Sequence, residues 1–285
     1  MNKALFFFFS FHFVSFSLFA QKPYSRKGEF FGYWGYNRAT YANSDIHFYG
    51  KGYDFTLYDV VAKDRPNSFR LDTYLNPLKL SVPQYDWRIG YFFSDHWAIS
   101  VGWDHMKYIM VNDQASTISG HISATVSDPA ITVNPSYVGD YTHTPITINS
   151  KDFLTFEHTD GFNYANVELD RYDRIWKAKN NVQGLDWLVG VGTGVNIPRS
   201  DVRLFTVGKN NAFNLAGLAA SIKAGLRFDI SRLLFLQFDA KAGYTHMFDI
   251  HTTGRSSDHA QQNIWFREYY GVIGLKFGKP RVKNK

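Results

Sequence analysis

Alternation of apolar and polar residues with a period of two is the feature that most constrains this chain. In "WAISVGWDHMKYI" the odd positions Trp97, Ile99, Val101, Trp103 and Ile109 are apolar, while the even ones are Ala98, Ser100, Gly102, Asp104, Met106 and Tyr108. A β-strand turns successive side chains to opposite faces, so this pattern describes a strand with a different solvent on each side. The preceding "YDWRIGYFF" sets Trp87, Ile89, Tyr91 and Phe93 against Arg88 and Gly90. Only Ser94-Asp95-His96 separates the two, which predicts a tight hairpin.

The same reading finds six more strands. "GEFFGYWGYNR" turns Phe30, Trp34 and Tyr36 one way and Glu29, Tyr33 and Asn37 the other. "LDWLVGVGTGVNI" opposes Leu185, Trp187, Val189 and Val191 to Asp186, Gly190 and Gly192, and "LAASIKAGLRFDI" opposes Leu218, Ile222 and Leu226 to Lys223 and Arg227. "LFLQFDAKAGY" sets Leu236, Phe238 and Ala240 against Asp239 and Lys241, and "YYGVIGLKF" sets Tyr269, Ile273 and Leu275 against Gly274 and Lys276. The weakest is "NYANVELDRYDRIW", where Ala165, Val167 and Leu169 form an apolar face opposite Glu168 and Asp170 before Arg171 and Asp173 interrupt it.

Eight strands result, joined alternately by short turns and long connections, with both termini on the short-turn side. Together with an even strand number, that describes an all-β fold: an eight-stranded antiparallel transmembrane β-barrel of the bacterial outer membrane, with long structured extracellular loops and periplasmic termini. A membrane strand needs only about 9–11 residues, which each segment supplies, whereas no window after the N-terminal run holds the roughly 18 apolar residues of a membrane helix. A soluble eight-stranded barrel is the competing architecture, but it would carry its apolar side chains inward. Here the face opposite the apolar one holds Glu29, Arg88, Asp104, Glu168, Asp170, Asp186, Lys223, Arg227, Asp239, Lys241 and Lys276. Eight strands leave no room for an aqueous pore, so these charges are expected to pair across the lumen.

Composition agrees. Aromatic residues make up 18% of the 285 residues without forming one long apolar block, as a sheet with one greasy and one polar face requires. The net charge of +6 is scattered, with no basic stripe, which argues against nucleic acid as a partner. The chain has no Cys, so no disulfide framework supports it. "MNKALFFFFSFHFVSFSLFA" reads as a secretory signal peptide over residues 1–20, cut after Ala20, leaving 21–285 as the barrel domain. Leu18 departs from the small residue usual three positions before a cut, and an uncleaved anchor is the alternative.

The segments "YWGYNRATYANSDIHF", "RIGYFFSDHWAISVGWDHMKYIM" and "DFLTFEHTDGFNY" resemble a subgroup of the small eight-stranded outer-membrane barrel proteins of Gram-negative, Bacteroidota-like bacteria, and the likeness covers nearly the whole mature chain. The resemblance implies fold and location. It implies outer-membrane lipid and lipopolysaccharide as surroundings, but no activity, because such barrels include structural proteins, adhesins, lipid A enzymes and carriers of small apolar ligands.

The residues leave three functions open. A non-enzymatic barrel acting through its loops, with another outer-membrane protein as a partner, is the leading expectation. A small channel or carrier for apolar ligands is the second, and a lipid A modifying enzyme the third. For the last, "His121-Ile122-Ser123" pairs a base with a nucleophile, but in a Ser/Thr-rich loop where chance supplies such triplets. Catalytic residues, cofactors and a metal are not assigned. His47, His105, His121, His143, His158, His246, His251 and His259 all fall toward the loop end, without the fixed spacing of a chelating motif. Of the two long loops, "SDIHFYGKGYDFTLYDVVA" predicts a hairpin around Gly50-Lys51-Gly52, and "STISGHISATVSD" with "TPITINSKDFLTF" predicts a ribbon prolonging strands three and four. Such strands serve either as a lid over the lumen or as an edge for a partner strand.

"FEHTDG", residues 156–161, concentrates two carboxylates and an imidazole. Counting from Val167 and Leu169 places Glu157 and Thr159 outward and His158 and Asp160 inward, capping the charged lumen at its outer rim beside Asp104. A bulge at Gly161 would reset that register. The same parity turns His105 and His246 outward, so His105, His158 and His246 are not expected to share a metal.

Overall fold

The computed structural model describes residues 25–278 apart from 69, 75, 77, 78, 80, 81, 180, 181 and 209–211. The signal peptide assigned to 1–20 lies outside the described residues. In chain order the strands are β1 (Phe30–Tyr41), β2 (Ser44–Gly50), β3 (Tyr53–Val60), β4 (Ala62–Lys63), β5 (Tyr85–Phe92), β6 (Trp97–Met110), β7 (Ala115–Ile122), β8 (Thr125–Val126), β9 (Ile131–Thr132), β10 (Gly139–Thr147), β11 (Leu154–Lys177), β12 (Gly184–Asn196), β13 (Asp201–Leu204), β14 (Gly217–Asp229), β15 (Leu234–His251) and β16 (His259–Phe277). β1, β5, β6, β11, β12, β14, β15 and β16 pair antiparallel in that order, and β1 pairs back onto β16 to close a ring of eight. These are the eight strands predicted from alternation. Phe30 lies opposite Phe277, so the first and last strands of the ring start and finish at one end. The strand ends that the short connections 93–96, 178–183 and 230–233 join lie at that same terminal end.

Side chains sort by face as a lipid-embedded barrel demands. Val101, Val191, Ile222, Phe238 and Ile273 point outward and are 51–64% exposed, whereas Arg88, Asp170 and Lys241 point inward and are at most 2% exposed. Water on the outside would leave an apolar belt exposed and charges buried, the reverse of a soluble barrel. Hydrocarbon satisfies the outer face, and ring closure gives each ring strand a hydrogen-bonded neighbour on both sides where hydrocarbon cannot solvate its amides.

Several strands run well past the belt. β15 has 18 residues, β16 has 19 and β11 has 24, against the about 9–11 that span a membrane. In these extensions the chemistry of the two faces exchanges. On β16 the inward residues change from Lys276 and Glu268 to Phe266, Ile264 and Ala260, while the outward ones change from Ile273 and Tyr269 to Asn263 and Gln261. Above the belt the barrel therefore becomes an ordinary water-soluble one, with an apolar interior.

That interior is closed by the long loops. β2 and β3 form the predicted hairpin, and β16 carries it through Gln262↔Ile46 to His259↔Tyr49. The predicted ribbon on strands three and four does not form. β7 instead pairs with β3, and β10 with β7, giving a four-stranded flap, β2-β3-β7-β10, that hangs from β16. The reason lies in the alternation of Ile118 and Ile122, both wholly buried, which seat beside Leu57 and Phe55 in the interior. Only Leu154, Thr155 and Phe156 prolong β11 as expected, held by β13.

Candidate functional site

The structure turns all eleven charged residues of the predicted network inward, each no more than 5% exposed. Glu168 of β11 is the hub. Arg88 Nη2 lies 2.9 Å from Glu168 Oε1 and 3.2 Å from Asp104 Oδ1. Lys223 Nζ donates to Glu168 Oε2 and lies 3.0 Å from Asp170 Oδ2. Lys241 Nζ reaches Glu168 Oε1 at 3.0 Å and also binds Asp104. Three cations thus converge on one carboxylate of β11 from β5, β14 and β15, none of which pairs with β11 in the ring. Gly190 of β12 faces this knot because a Cβ there would fall 1.9 Å from Asp170 Oδ1. Asp239 accepts from Gln237 Nε2 at 2.7 Å.

A second knot fills the terminal end. Asp229 accepts from Arg227 Nε at 3.4 Å and pairs with Lys276 Nζ at 3.0 Å, and Arg227 Nη2 donates to Glu29 at 3.5 Å. The Arg227 guanidinium lies 3.7 Å from the centroid of Phe235, with Phe31, Phe92 and Tyr172 around it. Delocalised charge against aromatic faces compensates part of the lost hydration. Asp186 is held by Arg26 and, at 2.6 Å, by Arg174. Arg26, Arg174, Asp86, Asp229 and Glu268 also belong to the lumen, although the sequence reading does not include them. Arg174 and Asp229 carry a signal, each at an inward-parity position of its alternating strand, whereas Arg26 precedes the first strand and carries none.

The outer-rim candidates separate. β11 takes four steps from His158 to Phe162 where β6 takes two from Tyr108 to Met106, so two extra residues bulge out at Gly161, which has φ 140°. An even insertion preserves parity below it, and His158 remains inward and fully buried. Asp160, predicted inward, is instead pushed out with its side chain 58% exposed, 3.5 Å from Arg199. Nor does His158 cap a charged lumen beside Asp104. It packs among Tyr108, Phe156 and Phe162, with Nδ1 2.9 Å from Ser200 Oγ and Nε2 unpartnered. His105 stacks on Tyr85 and bonds Asn163, and the exposed His246 bonds Asn263, so the three histidines do not converge.

On the flap's water-facing side, three residues form a relay. His121 Nε2 lies 2.9 Å from Ser123 Oγ and His121 Nδ1 lies 2.7 Å from Asp140 Oδ1, because β10 sets Asp140 opposite His121. The connectivity is that of a nucleophile, base and carboxylate. The setting is open, with His121 51% and Asp140 89% exposed. The Ser123 amide, which could have helped bind an oxyanion, donates to Gly52 O at 2.9 Å.

No protein-family model matches the chain. A search of curated proteins also gives no match. Among solved structures the chain is similar to the outer membrane protein OprG from Pseudomonas aeruginosa, at 8% identity and TM-score 0.42, covering 89% of this chain and 98% of that one. It is also similar to Ail, the attachment invasion locus protein of Yersinia pestis, at 11% identity, 88% and 99% coverage and TM-score 0.30. The N-terminal β-barrel domain of Pseudomonas aeruginosa OprF aligns at 12% identity, 84% and 100% coverage and TM-score 0.26. Likeness this weak transfers no activity or ligand.

Replacing Glu168 by Leu takes one carboxylate from three buried cations, leaving Asp104 and Asp170 to hold them. It is expected to destabilise the barrel by about 3–5 kcal/mol, read as a lowered urea midpoint for unfolding in detergent. His158 gives a pH dependence. It pairs with Tyr108, beyond Val101 and Val167 and above the apolar belt, and burial pushes its imidazole from 6.5 down to about 3. The unfolded chain takes up a proton that the folded one refuses, so this contribution to stability is complete above about pH 6.5 and is lost as pH falls toward 3, at about 1.4 kcal/mol per unit. Between pH 6.5 and 4.5 the wild-type protein should therefore lose up to about 2–3 kcal/mol relative to His158→Phe. A constant difference between the two would contradict the account.

Proposed function

We propose that this protein is a non-enzymatic barrel of the Gram-negative outer membrane, exported by a signal peptide, with periplasmic termini and the flap on the outer side. It anchors a folded surface platform, surrounded by outer-membrane lipid and lipopolysaccharide and bearing on another outer-membrane protein. One observation carries this reading: ion pairs fill the lumen and a continuous aromatic interior seals its extended end, so what the molecule offers is its outer surface. The same filling opposes the channel and carrier readings, since the described lumen side chains are too inaccessible to line an open path.

The platform's free edge is guarded. Among the described residues β10 pairs only with β7, but Pro145 removes a donor and the chain is irregular between Tyr141 and Thr144, with His143 at φ 46°. Edges of this kind resist indiscriminate strand addition. A partner is therefore expected on the flap's face.

Planar-bilayer recordings of the purified barrel should show no discrete conductance steps, while native mass spectrometry from mild detergent should find it with a second envelope protein. Ion conductance by a barrel that always runs alone would sink the proposal. The relay Ser123–His121–Asp140 favours hydrolysis of an ester, including those of lipid A, as a second reading. Its test is Ser123→Ala: unchanged lipid A mass on whole cells removes that reading, and restored acyl chains replace the first one.

A further inference from the structure

At the tip of the β15–β16 hairpin, three donor residues share one outward face. Asp249 and His251 are two apart on β15, and His251 lies directly opposite His259 of β16. Their ligand atoms all lie within 4.8 Å of one another. Asp249 Oδ1 is 2.7 Å from His259 Nδ1, and Asp249 Oδ2 is 3.5 Å from His251 Nε2. The side chains are 25–44% exposed, so an ion can reach them from water.

The hydrogen bonding of His259 turns one ring nitrogen toward Asp249. Its Nε2 lies 3.0 Å from the Ser256 carbonyl, which only accepts, so Nε2 carries a hydrogen. Nδ1 faces Asp249 Oδ1 at 2.7 Å, a place that either a proton or a metal ion fills. A histidine whose second nitrogen donates to a backbone carbonyl is the usual form of a metal ligand, since that bond fixes the tautomer and aims the lone pair. The scaffold beneath is fixed. Asp258, fully buried, accepts from Ser127 Oγ at 2.8 Å and from Thr253 Oγ1, which ties the connecting turn to the flap.

We propose that Asp249, His251 and His259 form a binding site for a borderline divalent transition-metal ion of the zinc class, with water completing the shell. Two imidazoles and one carboxylate select against calcium and magnesium, which prefer oxygen ligands alone. Metal bonds of about 2.0–2.2 Å set ligand atoms roughly 3.3–3.6 Å apart, so closing on the ion requires side-chain movements of about 1 Å. All three ligands come from the hairpin tip, so the site does not depend on the direction in which the barrel sits in its membrane.

The experiment is competition between the folded full-length barrel in detergent and a chromophoric chelator, with zinc as the metal. One equivalent should bind, His251→Ala and His259→Ala should each weaken it by at least roughly 10- to 100-fold, and His246→Ala should leave it unchanged. Calcium should not compete. Imidazole nitrogen resonances of the wild-type protein give a measure independent of variant folding: zinc should shift those of His251 and His259 and leave those of His246 in place. Absence of saturable zinc binding, or binding that survives loss of both histidines or moves other rings instead, overturns the proposal.

Discussion

Everything in this barrel depends on placing charge where neither water nor lipid can reach it. An isolated buried ion costs several kcal/mol after all relaxation, so a lumen of charges is stable only as a connected set. Glu168 makes it connected, since its one carboxylate holds cations from three strands. The strand pairing of the wall is local, neighbour to neighbour. The ion pairs are transverse, from β11 across the lumen to β5, β14 and β15, and they fix the cross-section. The knot at Asp186 and Asp229 does the same at the terminal end, with aromatic rings supplying the remaining enclosure.

The exchange of inner and outer chemistry along β16 marks where one solvent ends. Below it, apolar side chains face outward into hydrocarbon and charges face inward; above it, water takes the outside and the apolar residues turn to the lumen. The pleat does not change phase, because Lys276, Glu268, Phe266 and Ile264 all share inward parity. Only the medium changes. The flap completes the upper half by covering an interior that would otherwise open to water, with Phe48, Phe55 and Leu57 packed beside Met106, Phe156 and Phe162. One continuous set of strands thus serves two folding environments stacked end to end.

Alternation makes the eight strands legible, since within the belt each position is decided by parity alone. The same rule identifies eleven lumen charges without a structure. It fails where its assumption changes. Asn263, Gln262 and Gln261 look like the end of a strand to an eye expecting apolar residues outward, so alternation begins β16 at Tyr269, ten residues late. The bulge below His158 defeats the placement of Asp160, because a count of parity carries no information about extra residues. His121 and Asp140 lie 19 residues apart, and nothing local in either segment announces that β7 and β10 will pair. Tertiary pairing of loop strands depends on which apolar surface remains uncovered, and that is a property of the finished ring.

The attachment of the flap has a consequence for assembly. β2 and β3 are made early, yet the hairpin they form hangs through β2 from β16, the last of the ring's eight strands in chain order. Gln262 of β16 donates to both Ser44 and Tyr108, joining chain segments 218 and 154 residues away. Contacts of such long range form only after the intervening chain is ordered. The flap cannot seat until the final strand is in place beside β1. A seated flap is therefore a readout of a closed ring: the molecule carries on its surface a visible sign that its own insertion is complete.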